Sequence, residues 1–258
     1  MRNTDLKDKV VIVTGATSGI GRETARLFFD EGARLCLVSR SYDALMKLKT
    51  ELGEDEERLH IIVKDVTLED SAEVICNETI STFGGIDVLV NAAGIIANGT
   101  IENTDVADWD YMMNLNLRSV FLLIQRSLPS LIERKGNVVN VSSVTGLRSF
   151  PNVLAYCVSK AGLDQLTRCA ALEVASKGVR INAVNPGVTI TELHRRAGMD
   201  EKTYEAFLEH CRTTHPLGRA GEAREIAELI LFLASPRASW ITGATYSIDG
   251  GRAATCFR

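Results

Sequence analysis

Apolar positions along the chain follow two rhythms. Short, nearly continuous runs rich in Val, Ile and Leu occur at residues 10–13, 35–38, 59–63, 88–90, 138–141, 179–184 and 244–248. Between them, apolar residues return every three or four positions over residues 21–31, 71–83, 108–133, 155–177 and 223–234. A strand with one wet face alternates polar and apolar residues, so continuous runs mark strands buried on both faces, while the second rhythm marks helices with one apolar face. Regular alternation of the two predicts an α/β fold, a doubly wound, seven-stranded parallel sheet flanked by helices and joined by right-handed crossovers. No linker, repeat or shift of composition divides the chain, so residues 1–258 are expected to form one domain. The pattern loosens over residues 186–221, where 192–196 and 202–210 are partly helical. An excursion over about residues 188–218, beside a rigid sheet, is expected to act as a lid over a site.

Composition narrows the class without naming a partner. Hydrophobic residues make up 45% and charged residues 24%, the balance of a globular chain. A formal net charge of -4 argues against a nucleic-acid surface, which needs clustered cations to neutralise phosphates. The six cysteines, Cys36, Cys76, Cys157, Cys169, Cys211 and Cys256, are dispersed without a C-x-x-C pair and read as free thiols, with no metal site expected. Residues 1–9 are polar and run straight into the first strand, unlike a signal peptide, and no apolar run approaches membrane-spanning length. Cytoplasm is the expected location, with organelle import left open.

Two stretches carry candidate chemistry. The first strand runs into Thr14-Gly15-Ala16-Thr17-Ser18-Gly19-Ile20-Gly21 and then a helix. Glycine allows a tight turn and close approach to a pyrophosphate, and the helix N-terminus offers free N–H groups and a positive dipole end, so a dinucleotide fits here. Its type is read at the end of the second strand, where a carboxylate would hold the ribose 2′-hydroxyl of NAD. This chain has Ser39-Arg40 there, and a guanidinium suits a 2′-phosphate; NADP(H) is expected over NAD(H). In the second stretch, Tyr156 and Lys160 lie four residues apart on one predicted helical face, after a strand that ends at Ser142-Ser143. A free phenol, with a pKa near ~10, is a poor base at neutral pH; a neighbouring ammonium is expected to lower it, and Ser143 to hold the substrate oxygen.

Taken together, these motifs resemble the short-chain dehydrogenase/reductase family over residues 6–251, and 3-oxoacyl-carrier-protein reductase-like members in particular. The glycine loop resembles the family's cofactor loop, Asp65-Val66 its adenine contact, and Asn91-Ala92-Ala93-Gly94 its fourth-strand motif. Asn116, Ser143, Tyr156 and Lys160 match the catalytic asparagine, serine, tyrosine and lysine. Asn185-Pro186-Gly187-Val188 with Thr191 matches the segment that clasps nicotinamide and phosphate, and residues 241–251 fit the family's ending. The resemblance implies a Rossmann-type domain that moves a hydride between NADPH and a carbonyl or alcohol. Tyr156 would transfer the proton, Lys160 would hold the nicotinamide ribose and lower the tyrosine pKa, and Asn116 would position a relay water. It also implies a homotetramer or dimer, no nucleic-acid or membrane partner, and a small-molecule substrate. A 3-oxoacyl thioester leads among these; sugar, polyol or steroid alcohols are the rivals, and a non-catalytic dinucleotide sensor is a reading from another class.

Two departures stand out. Ala92 replaces a second Asn common in the family, and no cation precedes Gly19, which leaves the 2′-phosphate to Arg40, with help from Arg22. Expected substrate walls are Ile95, Ile96, Asn98, Leu147, Arg148, Phe150, Val153 and Leu193. His194 and His215 read as structural rather than catalytic, and Trp109, Tyr111, Met112 and Met113 as helix packing. Arg134, Lys135 and Lys177 read as a solvated charge cluster more readily than as a carrier-protein site.

Overall fold

A computed structural model of the protein describes residues 5–255. Its main sheet has the order β3-β2-β1-β4-β5-β6-β9, and every adjacent pair is parallel. The strands are β1 (Val10–Thr14), β2 (Arg34–Ser39), β3 (Leu59–Val63), β4 (Val88–Asn91), β5 (Asn137–Val141), β6 (Arg180–Pro186) and β9 (Thr245–Ile248). Two minor strands, β7 (Thr189–Ile190) and β8 (Gly221–Glu222), pair in parallel beside it. The helices are α1 (Gly19–Asp30), α2 (Tyr42–Glu51), α3 (Ser71–Phe83), α4 (Val106–Met113), α5 (Ser119–Arg134), α6 (Val144–Leu147), α7 (Leu154–Val174), α8 (Leu193–Arg196), α9 (Glu201–Thr214) and α10 (Ala223–Ala234). The apolar runs thus become the seven predicted strands, and the predicted doubly wound α/β fold is the one observed.

Two apolar layers explain the continuous runs. On one face of the sheet Val11, Val13, Leu35, Leu37, Val90 and Val139 pack with Phe28, Leu45, Ile226 and Ile230; on the other Ile12, Cys36, Val38, Leu89 and Val138 pack with Ile75, Leu123, Leu131 and Leu163. Alternate residues of one strand therefore enter opposite layers, and both are dry. Cys36 and Cys76 lie in this core, where burial pushes both thiols up to about 12 and leaves them unreactive. The other described cysteines are also free, and Cys256 lies outside the described residues.

The sequence pattern departs from the structure in two places. Helix α2 is absent from the predicted set because only Leu45, Leu48 and Lys49 are buried, too few to impose a clear helical period. The expected helix over 108–133 is α4 and α5 joined by a π-helical turn, Asn114–Arg118, whose extra residue slips the period and turns Asn116 fully inward.

Candidate active site

The carboxyl ends of β1, β4, β5 and β6 face one cleft, where an open parallel sheet binds its ligands. At β1 the chain turns through Gly15 with φ +65°, and a Cβ there would sit 2.9 Å from the Ala93 backbone. A Cβ at Gly21 would overlap the Gly15 carbonyl, so the loop is closed to larger residues at both points. Ser18 caps α1 in extended geometry without spending its hydroxyl on the helix, and the first turn of α1 carries no acid. Thr17 and Ser39 share a 3.0 Å hydrogen bond that joins the loop to the end of β2. This is a cradle of bare backbone and free donors, and it fits a dinucleotide pyrophosphate.

Beyond β2, Arg40 lies 3.7 Å from Asp65 and donates to the Tyr111 hydroxyl at 3.2 Å. Burial works against the Asp65 charge, but the Thr67 amide and hydroxyl and the Arg40 guanidinium outweigh it and hold the carboxyl below its usual value. Val66 beside it is buried. Tyr111, expected to be packing alone, therefore reaches the cofactor side of α4. Arg22, expected to assist Arg40, is instead paired with Glu51, because both project from neighbouring helices on the outer face of the loop. Ala92 leaves no slack: the amides of Ala92 and Ala93 both donate to the Thr14 hydroxyl, at 3.1 and 3.2 Å, and Asn91 donates to Asn140 at 2.9 Å.

At β5, Ser143 caps α6, its hydroxyl accepting from the Thr145 amide at 3.1 Å, and Tyr156 and Lys160 reach the same place from α7. Tyr156 is buried. Burial pushes its phenol up to about 12, against a smaller lowering by its hydrogen-bonding partner Ser143. This direction is opposite to the expected one. The Lys160 amine stands 5.7 Å from the Tyr156 ring centroid and donates one of its protons to the Val141 carbonyl at 2.8 Å. Burial in turn brings Lys160 down to about 8, against the attraction of Asp164. Burial thus favours the neutral phenol.

Asn116 is buried, and its side chain clamps the loop after β4. Nδ2 donates to the Ile95 carbonyl at 3.0 Å and to Ser159 at 3.1 Å, and Oδ1 accepts the Ile95 amide at 3.0 Å. Gly94 lies alongside, and a Cβ there would stand 3.6 Å from the Lys160 amine. At the end of β6, Gly187 is pressed against Asp249, where a Cβ would come within 2.9 Å, and the Val188 amide donates to His215 Nε2 at 3.3 Å. Thr191 packs on the glycine loop: a Cβ on Gly19 would stand 2.9 Å from its methyl.

Two residues escaped the sequence reading. Asp164 is buried one turn beyond Lys160, accepting from Asn185 at 2.8 Å while Asn185 also donates to the Ser143 carbonyl at 2.9 Å. Burial raises its carboxyl. Its four-residue step from Lys160 was the available signal. Arg196 had none, since its partner Ser18 lies far off in sequence, whereas His215, expected to be structural, supports the Val188 amide. Of the expected substrate walls, Ile95, Ile96 and Val153 pack around Tyr156 together with Trp109 and Met112. Arg148 is not an open cationic wall: its guanidinium donates to the carbonyls of Arg252, Ala253 and Thr255, because the chain end folds back over it. Arg134 is likewise spent on the Gly84 carbonyl.

Among the described residues no His, Cys, Asp and Glu group has metal-binding geometry, and no helix is long and apolar enough to cross a membrane. Residues 15–253 match the family model described as enoyl-(acyl carrier protein) reductase. The chain is 39% identical to the 3-oxoacyl-(acyl-carrier-protein) reductase FabG of Thermotoga maritima, over 95% of this chain and 98% of the relative. It is 36% identical to a glucose 1-dehydrogenase of Gluconobacter oxydans, over 94% and 91% of the two chains. A Caenorhabditis elegans short-chain dehydrogenase/reductase of unknown function, solved with cofactor, superposes with a TM-score of 0.92 at 36% identity over 97% of each chain. Likeness of this degree along nearly the whole length, on the fold and cleft described above, means that the chain belongs to the short-chain dehydrogenase/reductase family, oxidoreductases that bind a nicotinamide dinucleotide.

Proposed function

We propose that the protein is an NADPH-dependent carbonyl reductase in which Tyr156 protonates the substrate oxygen. The observation that carries this reading is the meeting of Ser143, Tyr156 and Lys160 beside the glycine loop. The dinucleotide would lie along Gly15, Thr17, Ser18, Gly19, Ile20 and Gly21, with Asp65 and Val66 at the adenine and Ser39 and Arg40 at the 2′-phosphate. Asn91, Ala92, Ala93 and Gly94 would line its middle, and Pro186, Gly187, Val188 and Thr191 its nicotinamide end. When bound, the nicotinamide supplies the hydride. Ser143 orients the carbonyl oxygen, and Tyr156, protonated up to a pKa of about 12, gives it a proton as negative charge develops there. Lys160, which burial brings down to about 8, would hold the nicotinamide ribose. Asn116 holds the Ile95 wall in place and would position a relay water.

In the reverse direction the same phenol would act as its phenolate, taking the alcohol proton. The substrate class that fits best is a 3-oxoacyl thioester, in line with the FabG relative and the apolar walls Ile95, Ile96 and Val153. The glucose 1-dehydrogenase relative favours a second reading, a sugar or polyol alcohol. One domain with a lid over residues 188–218, working in the cytoplasm as a tetramer or dimer, completes the proposal. It is tested by following NADPH and NADH absorbance across a panel of 3-oxoacyl thioesters, simple ketones and sugars. Preferential NADPH oxidation by thioesters is expected. Cofactor binding without turnover on any substrate would instead make the protein a sensor.

A further inference from the structure

From Thr14 to Gly21 the loop carries no cation, although the proposed ligand brings several negative charges to it. Of the arginines near it in sequence, Arg22 is paired with Glu51, and Arg40, assigned above to the 2′-phosphate, stands beyond β2 beside Asp65. A third guanidinium arrives from the strap that follows β7: Arg196, at the end of α8, donates to the Ser18 hydroxyl at 3.0 Å across 178 residues of sequence. Among the described residues Arg196 has no carboxylate within ion-pairing distance, whereas its neighbour Arg195 pairs with Glu192 and Glu201. The strap that presents it is anchored. The buried Tyr204 of α9 donates to the Thr191 carbonyl at 3.2 Å, Arg195 stacks 3.9 Å over the Tyr204 ring, and Thr191 rests on Gly19. Two adjacent arginines thus divide the work, one fastening the strap and the other placing an unneutralised charge at the cradle.

We infer that Arg196 is a binding residue for a phosphate group of the dinucleotide, supplying from the strap the cation that the glycine loop lacks. This rests on the dinucleotide reading of the loop. A guanidinium beside a phosphate forms short, charge-assisted hydrogen bonds, and the same contact would hold the strap down while the cofactor is bound. Calorimetric titration of the full chain with NADPH and with NADH tests it. Arg196→Gln is expected to weaken binding about tenfold, with Arg196→Lys recovering part of the loss, while Arg22→Gln stays within about twofold of the parent. Loss toward both cofactors assigns the contact to the pyrophosphate, and loss toward NADPH alone assigns it to the 2′-phosphate; each supports the inference. Unchanged affinity for both in a folded Arg196→Gln protein overturns the inference and leaves the cofactor site standing. An unsubstituted chain that binds neither dinucleotide overturns both.

Discussion

The two walls of the cleft are built in different ways. The floor, from β5 to α7, is buried and polar: Ser143, Tyr156, Lys160, Asp164 and Asn185 hold one another and nearby carbonyls away from water. The strap, from β7 to α9, is held at its surface by exposed ion pairs and by one buried tyrosine. In a dry site each lost hydrogen bond is costly, which constrains the floor, although one buried oxygen each of Asp164 and Asn185 has no hydrogen-bond partner there. At the surface, water replaces a lost ion pair cheaply, and the strap can give way and re-form. In the proposed function, the chemistry would fall on the more constrained wall and closure on the other.

The sharpest test of this contrast is Tyr156→Phe, which is expected to lower turnover by about a thousandfold while leaving dinucleotide affinity unchanged. Retention of most activity would remove the phenol from its role. Next, Asp164→Ala should cost about 1–3 kcal/mol in urea unfolding, since it strips Asn185 of a buried acceptor. A cost near zero would mean that the floor tolerates disorder as the strap does.

A smaller effect is expected where the walls meet. His215 accepts the Val188 amide through Nε2 and contacts the Thr214 hydroxyl through Nδ1, so the ring must be neutral to keep the first bond. Burial, then Arg252, depress its pKa below the ordinary 6.5, against the Cys211 backbone and Asp249. The unfolded chain takes up a proton near 6.5 and the folded one does not, so this contribution is complete above 6.5 and is lost as the pH falls below it. The melting temperature should thus drop between pH 7 and pH 5, and His215→Gln, which keeps an acceptor but does not titrate, should flatten the drop. An equal drop in the variant would assign it to other groups, among them His194, which burial also depresses. The smallest change is expected from Glu201→Gln in the strap, with cofactor affinity within about twofold of the parent. A loss as large as that of Arg196→Gln would show that the strap is as rigid as the floor.

Much of this was legible in local spacing. Continuous apolar runs marked the doubly buried strands, the glycines marked a loop closed to side chains, and the step from Tyr156 to Lys160 placed both on one face of α7. Less legible were α2, with little buried surface, and the turn at Asn114–Arg118, whose added residue breaks the helical period.

The order of strands and helices along the chain, the cradle and the shared helical face of Tyr156 and Lys160 follow from the chain itself, because each depends on neighbours within a turn or a strand. Which arginine stays unpaired, where Arg148 spends its donors, what His215 supports and which way the Tyr156 phenol shifts depend on partners brought in by the fold. Charge and burial act through space, and distance along the sequence does not record them.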